Sequence, residues 1–141
     1  MPGLRLLAGC AVLVGCAGTP ASPPAGTRYD GTYVGQDTLV SGAVFQCGAP
    51  ELAETIEVRG GRFDYPFQVS PPRVAALPVE IAADGTMAGQ MRYGTGEEIP
   101  GFSRDRIDWV FLRGGMSGRT MEATITDVRC VRRLTAQRKG G

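Results

Sequence analysis

Histidine is absent from the 141 residues, and the chain has one lysine, Lys139. Catalysis of the Ser-His-Asp and Cys-His kinds is therefore excluded, as is any zinc site built on imidazole. Lys139 stands in a Gly-ended tail, a poor place from which to activate a hydroxyl nucleophile. Carboxylates are the remaining chemical candidates. Glu97 and Glu98 are adjacent in the irregular stretch 94–104, with Asp105 and Asp108 close behind. Two carboxyls held ~5–9 Å apart in a sugar-sized cleft would hydrolyse a glycosidic bond, and the same oxygens would suit calcium. Arg104 and Arg106 offer these acids simpler partners, and acids in a Gly-rich loop are ordinarily solvated. Gly94-Thr95-Gly96 lacks the Gly-Lys-Ser/Thr and the helix of a phosphate loop. The expectation is a protein that is not an enzyme, with no catalytic residue, no metal and no cofactor.

Charge narrows the partners. Fifteen basic residues against 14 acidic leave a net charge of +1, too little field to attract nucleic acid. Arg129, Arg132, Arg133, Arg138 and Lys139 make a basic end that would meet anionic headgroups or an acidic partner, or simply be a charged strand face with a frayed tail. Arg132 differs from the rest. It shares strand parity with Cys130 and Leu134, so it is expected to point inward and to need a buried partner.

The chain opens with one positive charge at Arg5 and an apolar run over residues 6–15. Such a run fits the core of an export signal and is far below the ~20 residues that span a bilayer. It ends in Leu13-Val14-Gly15-Cys16, which resembles the lipobox of bacterial lipoproteins. That resemblance implies cleavage before Cys16 and a diacylglycerol on its sulfur, usually with a third acyl chain on its amine. Leu7-Ala8-Gly9-Cys10 fits the same pattern but leaves too short an apolar core. Ordinary cleavage near Ala17 or Ala21, giving a soluble periplasmic protein, is the alternative. By the lipoprotein sorting rule, Ala17 after the cysteine favours the outer membrane. Residues 17–27 hold only small residues, hydroxyls and prolines, and read as a spacer of about 30 Å at ~3.1 Å per residue. The division is thus signal 1–15, lipidated Cys16 and tether 16–27, and one domain 28–141.

The elements of that domain read as strands. Phe63, Tyr65, Phe67 and Val69 alternate with Arg62, Asp64, Pro66 and Gln68. Ile56 and Val58 alternate ahead of them, and Gly60-Gly61 between the runs is a two-residue hairpin signal. Pro66 lacks a donor and belongs on an edge or at a bulge. Leu77, Val79 and Ile81 lead to Asp84-Gly85, and Met87, Gly89, Met91 and Tyr93 return. Ile107, Trp109 and Phe111, taken as inward, lead to a turn at Gly114-Gly115. Met121, Ala123 and Ile125 follow beyond Ser117-Gly118. Residues 29–39 and 43–47 are further strands, residues 51–55 a turn of helix, and residues 130–137 the last strand. Glycine at 21 residues suits many turns. The expected fold is all-β, an antiparallel up-and-down meander of about eight strands closed into a small barrel or a folded-over sandwich.

With Cys10 removed and Cys16 lipidated, Cys47 and Cys130 remain to pair in an oxidising compartment. Such a bridge would join the second strand to the last, which requires the sheet to curl round. Gly31-Thr32-Tyr33 also resembles the Gly-x-Trp start of lipocalins, with Tyr for Trp, and this resemblance implies that Arg132 on the last strand closes the barrel floor against Tyr33. Three roles stay open: a lipid-anchored interaction or scaffold domain with an envelope partner, a lipocalin-like carrier of a small apolar ligand, and a protease inhibitor. Tyr65, Phe67 and Trp109, with Met87 and Met91, would fill the barrel or line its pocket; Gly89 and Ala123 would open it.

Overall fold

A computed structural model describes residues 22–98 and 105–140, the side chains of 97, 98 and 105 aside. The lipobox, Cys10, Cys16 and the spacer up to residue 21 lie outside the described residues, as do residues 99–104 with Arg104. Alternation has built eight strands and one short helix: β1 (Gly31–Ser41), α1 (Val44–Cys47), β2 (Glu51–Val58), β3 (Arg62–Ser70), β4 (Arg73–Ile81), β5 (Thr86–Glu98), β6 (Asp105–Ser117), β7 (Thr120–Thr126) and β8 (Val131–Arg138). The sheet is antiparallel throughout, in the order β2-β1-β8-β7-β6-β5-β4-β3. Pairing of β1 with β8 makes it a nearly closed barrel. The seam lies between β2 and β3, which are joined only at their turn.

That turn follows from its glycines. Arg59 and Arg62 exchange backbone hydrogen bonds of 2.9 and 3.2 Å across Gly60-Gly61, whose φ angles of 59° and 72° suit residues without a Cβ. Beyond the turn, β3 has a neighbour only in β4. Pro66 therefore sits on an edge, where its missing N–H costs no ladder bond.

The interior is filled. Tyr33, Tyr65, Leu77, Met87, Leu112, Met121 and Leu134 are each no more than 1% exposed, and Phe63, Phe67, Val69 and Tyr93 pack around them. Small residues mark close approach here. A side chain at Gly89 would strike the Pro78 carbonyl at 2.7 Å, so this position opens no cavity, contrary to expectation.

Five local expectations are corrected. Residues 44–47 are helical and residues 51–55 begin β2. A bulge between Leu39 and Ser41 shifts the β1–β8 register before the ladder ends at Ser41 and Val131, and the chain then turns to bring Cys47 to Cys130. Gly114-Gly115 is inside β6, which turns only after Ser117; a Cβ at Gly114 would lie 2.1 Å from the Glu122 carbonyl, so glycine there lets β6 and β7 approach. The C-terminus is ordered as far as a bond from the Lys139 N–H to the Thr32 carbonyl at 2.7 Å.

The fifth correction concerns phase. Ile107, Trp109 and Phe111 face outward at 49%, 44% and 39% exposure, while Asp108, Val110 and Leu112 face in. Directly paired residues in an antiparallel ladder share a face. Met87, Gly89, Met91 and Tyr93 on β5 pair with Gly114, Leu112, Val110 and Asp108, and that register sets the phase of β6.

Both barrel ends are covered. At one, Ser22 to Asp30 cross the opening: Pro24 bridges Ala82, the Ala25 N–H donates to Ile81 at 3.1 Å, and Tyr29 enters the core. The last residues read as spacer thus lie against the barrel. At the other, residues 42–50 carry α1 over the mouth, tied by the Cys47–Cys130 disulfide with its Cα atoms 5.7 Å apart. Cys130 lies just before β8, and Cys47 ends α1 rather than a strand.

Candidate functional site

Two places gather the polar and aromatic residues. The first is inside. Asp37 on β1 is completely buried, and Arg132 on β8 is 3% exposed. The guanidinium donates from Nε to Asp37 Oδ1 at 2.8 Å, from Nη1 to the Cys47 carbonyl at 2.9 Å, and from Nη2 to the Asp37 and Ala49 carbonyls at 3.2 and 2.8 Å. Tyr65 donates its hydroxyl to Asp37 Oδ2. Burial, then the Asp37 charge and this hydrogen bond, push the Tyr65 hydroxyl far above its ordinary pKa. Glu54, half-buried on β2, is likewise raised, first by burial and next by Asp37.

This cluster satisfies the inward-pointing Arg132 and anchors the residues on either side of Gly48. Its bonds are spent on holding the 42–50 segment over the mouth. Sequence reasoning foresaw the need for a buried partner but not which one. The signal was Asp37 itself, which shares β1 parity with Tyr33 and is an acid on an inward face.

The Tyr33–Arg132 contact implied by the lipocalin resemblance does not form. Tyr33 pairs in register with Arg138, and Arg132 with Leu39, toward the other end of the strand. Tyr33 instead donates its hydroxyl to the Tyr29 carbonyl at 2.9 Å. Tyr65 joins the polar cluster, and Phe67 meets Tyr93 edge-on at 4.9 Å. The basic end is dispersed: Arg132 is inside, Arg138 bonds the Asp30 carbonyl, Arg129 the Val69 carbonyl, and Arg133 points outward. Asp108 faces inward with Arg106 3.4 Å away. Among the described residues no group of three or more acids or cysteines is placed to hold a metal.

The second place is the outer wall of β5–β8. Trp109 and Phe111 stack with their planes 17° apart and their centroids at 6.1 Å. The guanidinium of Arg92 is 5.8 Å from the Trp109 ring centre, and that of Arg113 is 5.8 Å from Phe111. Beyond Arg113 the wall sinks into a groove of about 720 Å³ lined by Gly115, Glu122, Thr124, Arg133 and Thr135 among others. Comparison of the chain with protein-family models, with curated proteins and with solved structures found no match.

Proposed function

We propose that the protein is a non-enzymatic, lipid-anchored envelope protein whose barrel is an interaction or scaffold domain facing the periplasm. The observation that carries the scaffold reading is the filled interior: large side chains from all round the barrel meet in one core. A carrier of this size needs a hollow to take even one small ligand. The grooves are lined mainly by outward-facing residues of the wall and of the end crossed by Ser22 to Asp30, so the surface is where this barrel meets other molecules. The anchor reading rests on the lipobox at Cys16, and the 47–130 disulfide suits an oxidising compartment.

Intact-mass measurement of membrane-extracted protein tests the anchor. A chain beginning at Cys16 with acyl mass attached is expected; Cys16→Ala should abolish lipid labelling, whereas Cys10→Ala should not. An unmodified Cys16 in the mature protein would sink this reading. For the barrel, a fatty-acid probe binding saturably at one per chain would restore the carrier.

A further inference from the structure

We propose that the β2 edge of the seam takes a guest strand, an extended segment of a partner protein that carries lysine or arginine and pairs its backbone with Ala53, Thr55 and Glu57. This names the partner for the interaction-domain reading and rests on that reading, not on the lipid anchor.

The backbone sets the edge. The Leu39 N–H donates to the Pro50 carbonyl at 2.8 Å, and the Arg59 N–H to the Arg62 carbonyl at 2.9 Å. Successive residues of a strand turn these groups to opposite sides. Leu52, Glu54, Ile56 and Val58 therefore bond β1, while Glu51, Ala53, Thr55 and Glu57 turn their N–H and C=O groups to the seam. Among the described residues no backbone bond joins β2 to β3 beyond the Gly60-Gly61 turn. The sequence keeps the seam open in two ways. Continued from Arg59 and Arg62, the hairpin register would set Glu57 opposite Asp64 and Thr55 opposite Pro66. Like charges directly opposite destabilise a pair, and Pro66 has no N–H to give. An unpaired edge is a template for another chain. On β3 that template is broken at Pro66; on β2 it is intact.

Charge selects the guest. Glu51 and Glu57 face outward on β2 and Asp64 faces outward on β3, all exposed. Glu57 accepts only a neutral donor, the Thr32 hydroxyl at 2.7 Å. Arg62 is held by Glu80 at 3.1 Å, and Arg59 stands at the turn, so guest cations belong from Glu57 onward. Inside, Arg132 is committed to Asp37 and to the Cys47 and Ala49 carbonyls. Glu54 beside them is half-buried, and no hydrogen-bond donor among the described residues reaches it. A second copy of β2 would lay carboxylates on carboxylates. A basic strand instead meets Glu51, Glu57 and Asp64 on its outer face and Glu54 on its inner one.

Burial is the independent observation. Phe63, Tyr65, Phe67 and Val69 on β3, and Met121, Ala123 and Ile125 on β7, are buried at every inward position. Leu52 and Glu54, inward on β2, are only partly covered. The inner face is thus incomplete where the ladder is missing, and side chains of a guest strand would complete it.

The test uses the full chain in detergent and a synthetic peptide of about ten residues in which lysine alternates with valine and threonine. Saturable binding at one per chain is expected, with amide exchange at Ala53, Thr55 and Glu57 slowed by about tenfold or more. Glu54→Gln and Ala53→Pro should each weaken binding by about tenfold or more. Unfolding midpoints of both should stay close to the parent, since the proline takes a seam-side N–H and leaves the β1 ladder whole. Glutamate in place of the lysines should abolish binding, and prolines interrupting the basic peptide should weaken it by about tenfold or more. Equal binding of the proline-interrupted peptide would reduce the attraction to charge alone and overturn the proposal. So would unchanged exchange at the three amides, or affinity kept within about twofold by Glu54→Gln and Ala53→Pro alike. Saturable fatty-acid uptake at one per chain would reject the interaction-domain reading itself; unprotected amides without such uptake would reject the seam alone.

Discussion

Asp37 and Arg132 carry opposite charges into the barrel, and their value depends on staying together. Removing both from water costs several kcal/mol per ion, offset by a short contact and the carbonyls that Arg132 also binds. Asp37→Ala strands a buried guanidinium and should destabilise by about 3–5 kcal/mol. Asp37→Ala with Arg132→Met should cost distinctly less. Urea unfolding of the three chains checks this, and a double variant as weak as the single one would contradict it. Glu54 makes a gentler case. Its pKa is raised in the fold by burial and by Asp37, so its contribution to stability is full below the ordinary glutamate range and lost as pH rises through the folded value. Glu54→Gln should flatten the stability profile above about pH 4.5 and stabilise the protein at pH 7. The gain should stay under about 1 kcal/mol, because solvent screens a half-exposed group.

At the scale of elements, β6 shows what alternation reveals and what it conceals. Period two in residues 107–112 identifies a strand, but both of its faces carry large apolar groups, so the pattern fixes parity and not which parity is inside. Its pairing with β5 decides that. Leu112→Ala should therefore cost about 2–5 kcal/mol, while Trp109→Ala should fall nearer ±0.5 kcal/mol, as at an exposed site. Ready quenching of Trp109 emission by iodide should accompany this; a shielded indole would contradict the observed phase. On β3 and β7 the apolar residues occupy one face alone, and there the core was legible. Gly60-Gly61 and Pro66 were legible too, because each acts through its own backbone. Asp37–Arg132 was half legible, since one buried charge implies another without saying where it lies. The groove at Gly115 was not, because a glycine pair inside a strand spells a turn until the neighbouring strand is known. The 42–50 segment belongs here as well. Cys47→Ser with Cys130→Ser should lower stability by about 2–5 kcal/mol, and amide exchange should rise first in residues 42–50.

The whole molecule has two dissimilar ends. Ser22 to Asp30, the Gly60-Gly61 turn, the 82–85 turn and the end of β8 lie at one, and α1 with the 127–130 turn at the other. Between Cys16 and Ser22 the chain has six steps, a reach of about 20 Å at ~3.3–3.6 Å per residue. A barrel anchored at Cys16 is thus held close, with its Asp84 end toward the bilayer and Phe45 pointing away. The 13 residues of β6 span about 40 Å of contour, less the strand tilt, so the two ends differ widely in height. The outer face of β6 would then run along the membrane normal, with Gly115 nearer the lipid and Trp109 farther out. Energy transfer from a dye on Asp84→Cys to an acceptor lipid in vesicles should greatly exceed that from a dye on Phe45→Cys, both in the lipidated full chain. Equal transfer from the two positions would mean that the barrel lies on its side, which would bring a wall to the lipid. Stronger transfer from Phe45 would invert the molecule and require the chain before Ser22 to run back along the barrel, a path that six residues are too short to complete.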